Sequence, residues 1–134
     1  MISKREAIPL VLKACPGFQK WWDDMGPLFS ERLWQEDGWK VLWVFFTNLT
    51  WHLLALHHDQ KTEAFTALSQ VIERLLVEGE PEIQNISVKD FLESVQCIWN
   101  YNHVDPNHFF VFLCPQTAQY LRQVQHLSPF FKAP

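Results

Sequence analysis

The clearest pattern of apolar and polar positions runs over residues 62–78. Apolar side chains recur there every three or four positions, with Glu63, Gln70 and Arg74 between them. This spacing predicts an amphipathic helix that buries one face. Gly79 follows at once and predicts a helix end in the left-handed conformation, which glycine adopts without strain. The buried face comprises Phe65, Leu68, Val71, Ile72, Leu75 and Leu76.

The longest apolar stretch covers residues 39–58 and predicts a second long helix. It is apolar nearly all round, so we expect this helix to be central. Residues 41–46 could instead form a buried strand, although no turn signal follows them. The stretch is short for a membrane span and contains Asn48 and His52, which also favours a core helix.

Local signals divide the rest of the chain into shorter helices. Ser3 and Glu6 have the spacing of a capping box, and Ser87 could cap a later helix midway along its length. The apolar tail at residues 129–132 is expected to pack on the body of the protein. The predicted short helices cover residues 4–15, 18–25, 28–35, 81–101 and 106–113, with a turn at residues 36–38. A last helix starts at residues 114–115 and turns Ala118, Leu121 and Val124 inward.

The composition is that of a single folded domain, with 134 residues of which 48% are hydrophobic and 19% charged. Together with the pattern above it predicts an all-α single domain over residues 1–134. The expected architecture is an irregular or orthogonal bundle of about six to eight helices around a central apolar helix. Of the seven tryptophans, we expect most in the core and one or two exposed, because tryptophan is enriched at interface hot spots.

The net charge of −4 argues against a nucleic-acid partner, which requires a basic surface. Residues 60–100 carry seven carboxylates against three cations and so account for all of the net negative charge. Such a segment is either an ordinary solvated surface or an acidic face for a basic partner. The candidate partner-binding carboxylates are Glu73, Glu78, Glu80 and Glu82.

A second candidate surface lies in the N-terminal third, where tryptophans and carboxylates occur together. The cluster is either a patch for a protein partner or a small satellite core. Its candidate partner-binding residues are Trp21, Trp22, Asp23, Asp24, Glu36 and Asp37, with Trp34 and Trp39 nearby.

The residue pattern predicts no catalytic, cofactor or metal site. His57 and His58 are adjacent and project in different directions on a helix, whereas His103 and His108 flank Asp105 without a further ligand at metal-site spacing. Three irregularly spaced cysteines and an N-terminus without a signal-like apolar run indicate a cytoplasmic protein.

One polar pair keeps a different function open. Asn48 and His52 lie four residues apart in the apolar stretch and therefore on one face of the predicted helix. They are expected to satisfy their polar groups within the core. The alternative is a small-ligand-binding or enzymatic helical domain that uses this face.

Several segments share their pattern with a known group of proteins. These segments are Gln84-Asn85-Ile86, Phe91-Leu92-Glu93 and Leu113-Cys114-Pro115-Gln116. With the helix over residues 62–78 and its end at Gly79, they resemble an uncharacterised family of small bacterial all-helical domains, found as immunity proteins beside polymorphic toxins. The resemblance covers residues 62–121, with a weaker match over residues 8–18.

The resemblance implies a monomeric, non-enzymatic protein that neutralises a cognate toxin by stoichiometric binding. It implies no catalytic residue, cofactor or membrane association. Many toxins of this kind are basic nucleases, so an acidic inhibitor would complement the charge of its partner.

Overall fold

The computed structural model describes residues 1–127, apart from the side chains of residues 86 and 127. The predicted packing of residues 129–132 lies outside this range. The described chain is all-α and has one continuous hydrophobic core, as the sequence pattern predicts. Its helices are α1 (Lys4–Ala14), α2 (Gln19–Met25), α3 (Glu31–His58), α4 (Glu63–Glu78), α5 (Pro81–Ile83), α6 (Phe91–Tyr101), α7 (Asn107–Phe110) and α8 (Pro115–Leu127).

The central helix is α3, and it confirms the helical prediction for residues 39–58. The strand alternative for residues 41–46 is wrong, because these residues lie within the helix. The predicted turn at residues 36–38 is instead a kink at Asp37, whose φ of −142° and ψ of 43° are not helical. The helix therefore continues through a position where two separate helices were expected. Its buried residues are Gly38, Val41, Leu42, Phe45, Phe46, Leu49, Thr50 and Leu53.

Helices α1 and α6 pack against α3, and α4 packs against α1. The indole Nε1 of Trp99 on α6 donates a hydrogen bond to the backbone oxygen of Thr50 at 3.4 Å. The capping box of α1 is confirmed, because Ser3 N donates to Glu6 Oε1 at 3.1 Å and Glu6 N donates to Ser3 Oγ at 3.3 Å. The packing holds α1 and α6 against the central helix, and the capping box defines the start of α1.

The segment between α5 and α6 differs from the predicted continuous α-helix. Residues Gln84–Asp90 form a π-helical stretch, which widens the helix locally. Ser87 lies buried inside this stretch, so the prediction that it caps a helix is wrong. Among the described residues its hydroxyl has no hydrogen-bond partner.

Gly79 ends α4, but the predicted left-handed conformation is wrong. Its φ of −76° and ψ of 156° are extended, a conformation open to any residue. Glycine is required because there is no room for a side chain at this position. An added Cβ would clash with the backbone oxygen of Leu75 and lie 2.8 Å from Ile83 Cγ2. Close packing of the chain, and not a positive φ, selects glycine here.

The extended backbone at Gly79 anchors the N-terminus. Ile2 N donates to Glu78 O at 2.8 Å, and Glu80 N donates to Ile2 O at 3.0 Å. This short parallel bridge lies beside the start of α1. It holds the first residues of the chain against the end of α4.

Replacing Gly79 with alanine tests this steric requirement. We expect Gly79→Ala to lower the free energy of unfolding by about 1–3 kcal/mol, since backbone must move to admit the methyl group. The matched control is Gly17→Ala, whose Cβ would lie at an ordinary 3.5 Å from His52 Nε2. Urea denaturation of both variants measures the difference, and equal stability of the two would contradict the requirement.

Candidate functional site

The seven tryptophans differ in exposure: four belong to the core or pack against it, as expected, but three are exposed where one or two were predicted. Only Trp99 is fully buried. Trp39, Trp43 and Trp51 on α3 expose 43%, 52% and 47% of their surface. Because α3 is apolar nearly all round, its sequence pattern does not distinguish its inner from its outer side. The half-buried indoles are Trp21, Trp22 and Trp34.

The exposed indoles lie on one side of α3. At 100° per residue, their spacing of four and eight positions places them within an arc of roughly 120°. A recess of about 360 Å³ lies between this side of α3 and helix α6. A second recess of about 310 Å³ lies further along α3, against the residues that follow α6. We call the surface they form the tryptophan groove. Its α3 residues are Trp43, Thr47, Trp51 and Leu54, and those of α6 and its C-terminal cap are Ser94, Cys97, Ile98 and Asn102.

A further exposed aromatic side chain lies on α6, outside the lining of the two recesses. Tyr101 is 82% exposed and lies four residues after Cys97, so both belong to one face of that helix. Exposed apolar side chains scattered singly are normal, but a contiguous group of large ones indicates an interaction surface. The aromatic groups here are contributed by two helices that pack against each other.

Carboxylates lie at the Trp43 end of the groove. Asp90 and Glu93 line the same recess as Trp43, and the Glu93 side chain is only 12% exposed. Lys89 Nζ lies 3.3 Å from Glu93 Oε1 as an ion pair. Burial raises the pKa of Asp90, and the nearby charge of Glu93 raises it further. A cation entering this recess would meet both a carboxylate and an indole face.

Glu73, one of the predicted acidic residues, is engaged within the chain. Its Oε1 accepts hydrogen bonds from Thr117 N at 2.6 Å and from Thr117 Oγ1 at 2.7 Å, and its Oε2 accepts one from Gln116 N at 3.3 Å. The carboxylate thus satisfies amides in the first turn of α8. Sequence spacing does not reveal this role, because the partners lie more than 40 residues away in the chain.

The other predicted carboxylates of this segment lie around the end of α4 and have cations close to them. Glu78 binds Arg74 at 3.0 Å, and hydrogen bonding from that guanidinium lowers the pKa of Glu78. Glu82 binds Lys4 at 2.6 Å, and Glu80 is half-buried. The surface therefore has mixed charge and is less acidic than the sequence suggests.

The N-terminal cluster is divided between packing and exposure. The Trp21 ring stacks on Phe18 with centroids 5.0 Å apart, and the Trp22 ring lies against Phe45 at 5.7 Å. Both indoles are thus half-buried in an aromatic layer over α3. The exposed side chains of this cluster on α2 are the carboxylates Asp23 and Asp24.

The remaining predicted carboxylates lie at the kink of α3. Glu36 Oε1 is 3.1 Å from Arg32 Nε, and Asp37 Oδ2 is 3.7 Å from Lys40 Nζ. Trp39, which follows them, belongs to the exposed side of α3 described above. The structure therefore distributes the predicted N-terminal patch over more than one surface.

Asn48 and His52 do not share a pocket. Asn48 Nδ2 donates to the backbone oxygen of Val44 at 2.8 Å. His52 lies against the Phe18 ring at 5.2 Å and lines a recess of about 440 Å³ with Cys15, whereas Asn48 is not among the residues lining it. Burial lowers the pKa of His52. The recess is therefore lined by His52 without Asn48, and the two side chains do not face it together.

The fold brings together two histidines that the sequence does not link. The rings of His57 on α3 and His108 on α7 lie 4.9 Å apart, and His57 also stacks on Trp99 at 5.5 Å. Burial lowers the pKa of His57, and the charges of His108 and His58 lower it further. Within residues 1–127, no group of three potential ligands is placed to hold a metal ion.

The fold and groove define a small all-α domain with a fixed aromatic surface. The model of a family described as a domain of unknown function, DUF7674, matches residues 8–128, and the chain belongs to this family. No curated protein and no solved structure matches the chain. In the part of the chain described, no helix has both the length and the apolar character needed to cross a bilayer.

Removing the Glu73 carboxylate tests its role at the start of α8. We expect Glu73→Ala to lower the free energy of unfolding by about 1–2 kcal/mol, because it removes the acceptor for two backbone amides and a hydroxyl. The matched control, Glu78→Ala, removes an exposed pair with Arg74 on the same helix and should cost clearly less, because solvent screens that pair. Urea denaturation gives both values. Equal losses would show that Glu73 does not cap α8.

Proposed function

We propose that the protein is a non-enzymatic immunity protein that neutralises a basic protein toxin by binding it through the tryptophan groove. The observation that carries the proposal is the set of three exposed indoles on one side of α3. Burying an exposed indole on a partner is strongly favourable, and tryptophan is enriched among the residues that dominate binding energy. The family resemblance of residues 62–121 supports the same class of function.

The charge at the groove supports a basic partner. Asp90 and Glu93 lie in the recess beside Trp43, so an arginine or lysine from the partner would contact a carboxylate and stack on an indole. The net charge of −4 would also steer a basic protein towards this chain. In the free protein, Lys89 is the cation beside both Asp90 and Glu93. A cation from the partner would supply a second positive charge for these two carboxylates.

The helical framework suits inhibition by stoichiometric binding. Trp43 and Trp51 project from a continuous helix whose opposite side is buried in the core. Since this framework is formed before the partner arrives, little conformational entropy is lost on association. The inhibitor would act as a monomer in the cytoplasm and would cover the toxin's active site or its substrate-docking surface, without a cofactor or nucleic acid.

The test combines survival of cells with measured affinity. The product of the gene immediately upstream is expressed with and without this chain, and their binding is measured by calorimetry. We expect growth inhibition that this chain relieves, and a complex of equal stoichiometry. The double variant Trp43→Ala and Trp51→Ala should weaken binding at least about 30-fold, the loss expected for truncating interface hot spots.

Matched variants separate the groove from other surfaces. Leu28 and Val77 expose 72% and 53% of their surface outside the groove, so a Leu28→Ala and Val77→Ala double variant should bind normally. Charge reversal at Glu78, Glu80 and Glu82 tests the acidic surface around the end of α4, where the sequence-based hypothesis predicts slower association with folding intact.

A neighbouring product that is not toxic, or a toxin that this chain fails to neutralise, would contradict the proposed function. Full neutralisation by the Trp43 and Trp51 double variant would contradict the groove as its site.

A further inference from the structure

A separate cavity of about 520 Å³ lies between α1, α2 and the start of α3. Its volume is within the range of small-molecule sites in proteins. It shares no residue with the tryptophan groove. We call it the N-terminal trough. The residues that decide its chemistry are Arg5, Ile8, Leu12, Lys13, Trp22 and Trp34.

The interior of the trough is apolar and aromatic. Ile8 and Leu12 on α1 are only 2% and 6% exposed, so they form a buried floor. Trp22 on α2 and Trp34 on α3 are half-buried and line the same cavity. Indoles held in this way offer flat surfaces to a planar ligand, because aromatic rings favour offset-stacked or edge-to-face contacts.

Two cations lie at the rim. The Arg5 guanidinium lies 4.9 Å from the ring centroid of Trp34, and its Nη2 donates to Glu31 Oε2 at 2.6 Å. A guanidinium has five N–H donors, so Arg5 retains donors for a second acceptor. Lys13 is exposed, and within residues 1–127 it belongs to no ion pair. Of the two cations, Lys13 is the one whose charge is not already shared with a carboxylate of the described residues.

We propose that the N-terminal trough binds a small organic anion with a flat aromatic body, such as an aromatic carboxylate or sulfonate. The body would rest on Ile8 and Leu12 between the indoles, and the acidic group would accept hydrogen bonds from Lys13 and Arg5. Charge complementarity selects this occupant, since the ammonium of Lys13 and the guanidinium of Arg5 would attract an anion and repel a cation. This site is distinct from the protein-binding groove and does not depend on the proposed function.

Two fluorescent probes of matched shape test the proposal. Anilinonaphthalene sulfonate has an aromatic body and one sulfonate, and phenylnaphthylamine has the same body without the charge. We expect the full chain to bind one equivalent of the sulfonate, with affinity about tenfold above that for the neutral probe, as a charge-assisted hydrogen bond in a partly buried site allows. Lys13→Gln should remove most of this difference and leave the affinity for the neutral probe unchanged.

The control is Lys20→Gln, which removes an equally charged, exposed lysine of α2 that does not line the trough. Circular dichroism checks that each variant is folded. Equal affinities for the two probes, or equal effects of the Lys13 and Lys20 variants, would overturn the proposal. So would loss of sulfonate binding in Trp43→Ala, because that result would place the probe in the tryptophan groove.

Discussion

The fold depends on the packing of aromatic rings against the inner side of α3. Phe45 meets the rings of Phe18, Trp22 and Phe46 edge-on, with centroids 5.3–5.7 Å apart. Such contacts contribute about 0.5–1.5 kcal/mol each beyond the burial of apolar area. Phe46 in turn lies 5.7 Å from Phe91 at the start of α6. One face of one helix therefore holds both the N-terminal helices and α6 in place.

This packing also creates the two candidate binding surfaces. Since the inner side of α3 is filled by Phe45 and its neighbours, the indoles of Trp43 and Trp51 remain on the outside, beside α6. On the other side of the aromatic layer, Trp22 contacts Phe45 and at the same time lines the N-terminal trough. Both surfaces are consequently attached to the rigid core, although they are separate from each other and differ in charge.

The sequence predicts those features that depend on periodicity or local capping. The helix over residues 62–78, the Ser3 capping box and the all-α class are of this kind, because neighbouring positions determine them. Three other features depend on contacts between elements that are distant in the sequence. They are the exposed side of α3, the steric role of Gly79 and the capping of α8 by Glu73. No pattern of adjacent residues encodes these contacts, so the sequence does not show which tryptophans are exposed, and it predicts a left-handed turn at Gly79.

Helix α3 buries one side in the core and presents tryptophans on the other. Hydroxyl-radical footprinting with mass spectrometry measures the oxidation rate of each tryptophan in the folded chain. Trp39, Trp43 and Trp51 should be oxidised several-fold faster than Trp99, which is fully buried. If Trp43 and Trp51 are as strongly protected as Trp99, the outer side of α3 is covered and the tryptophan groove does not exist as a free surface.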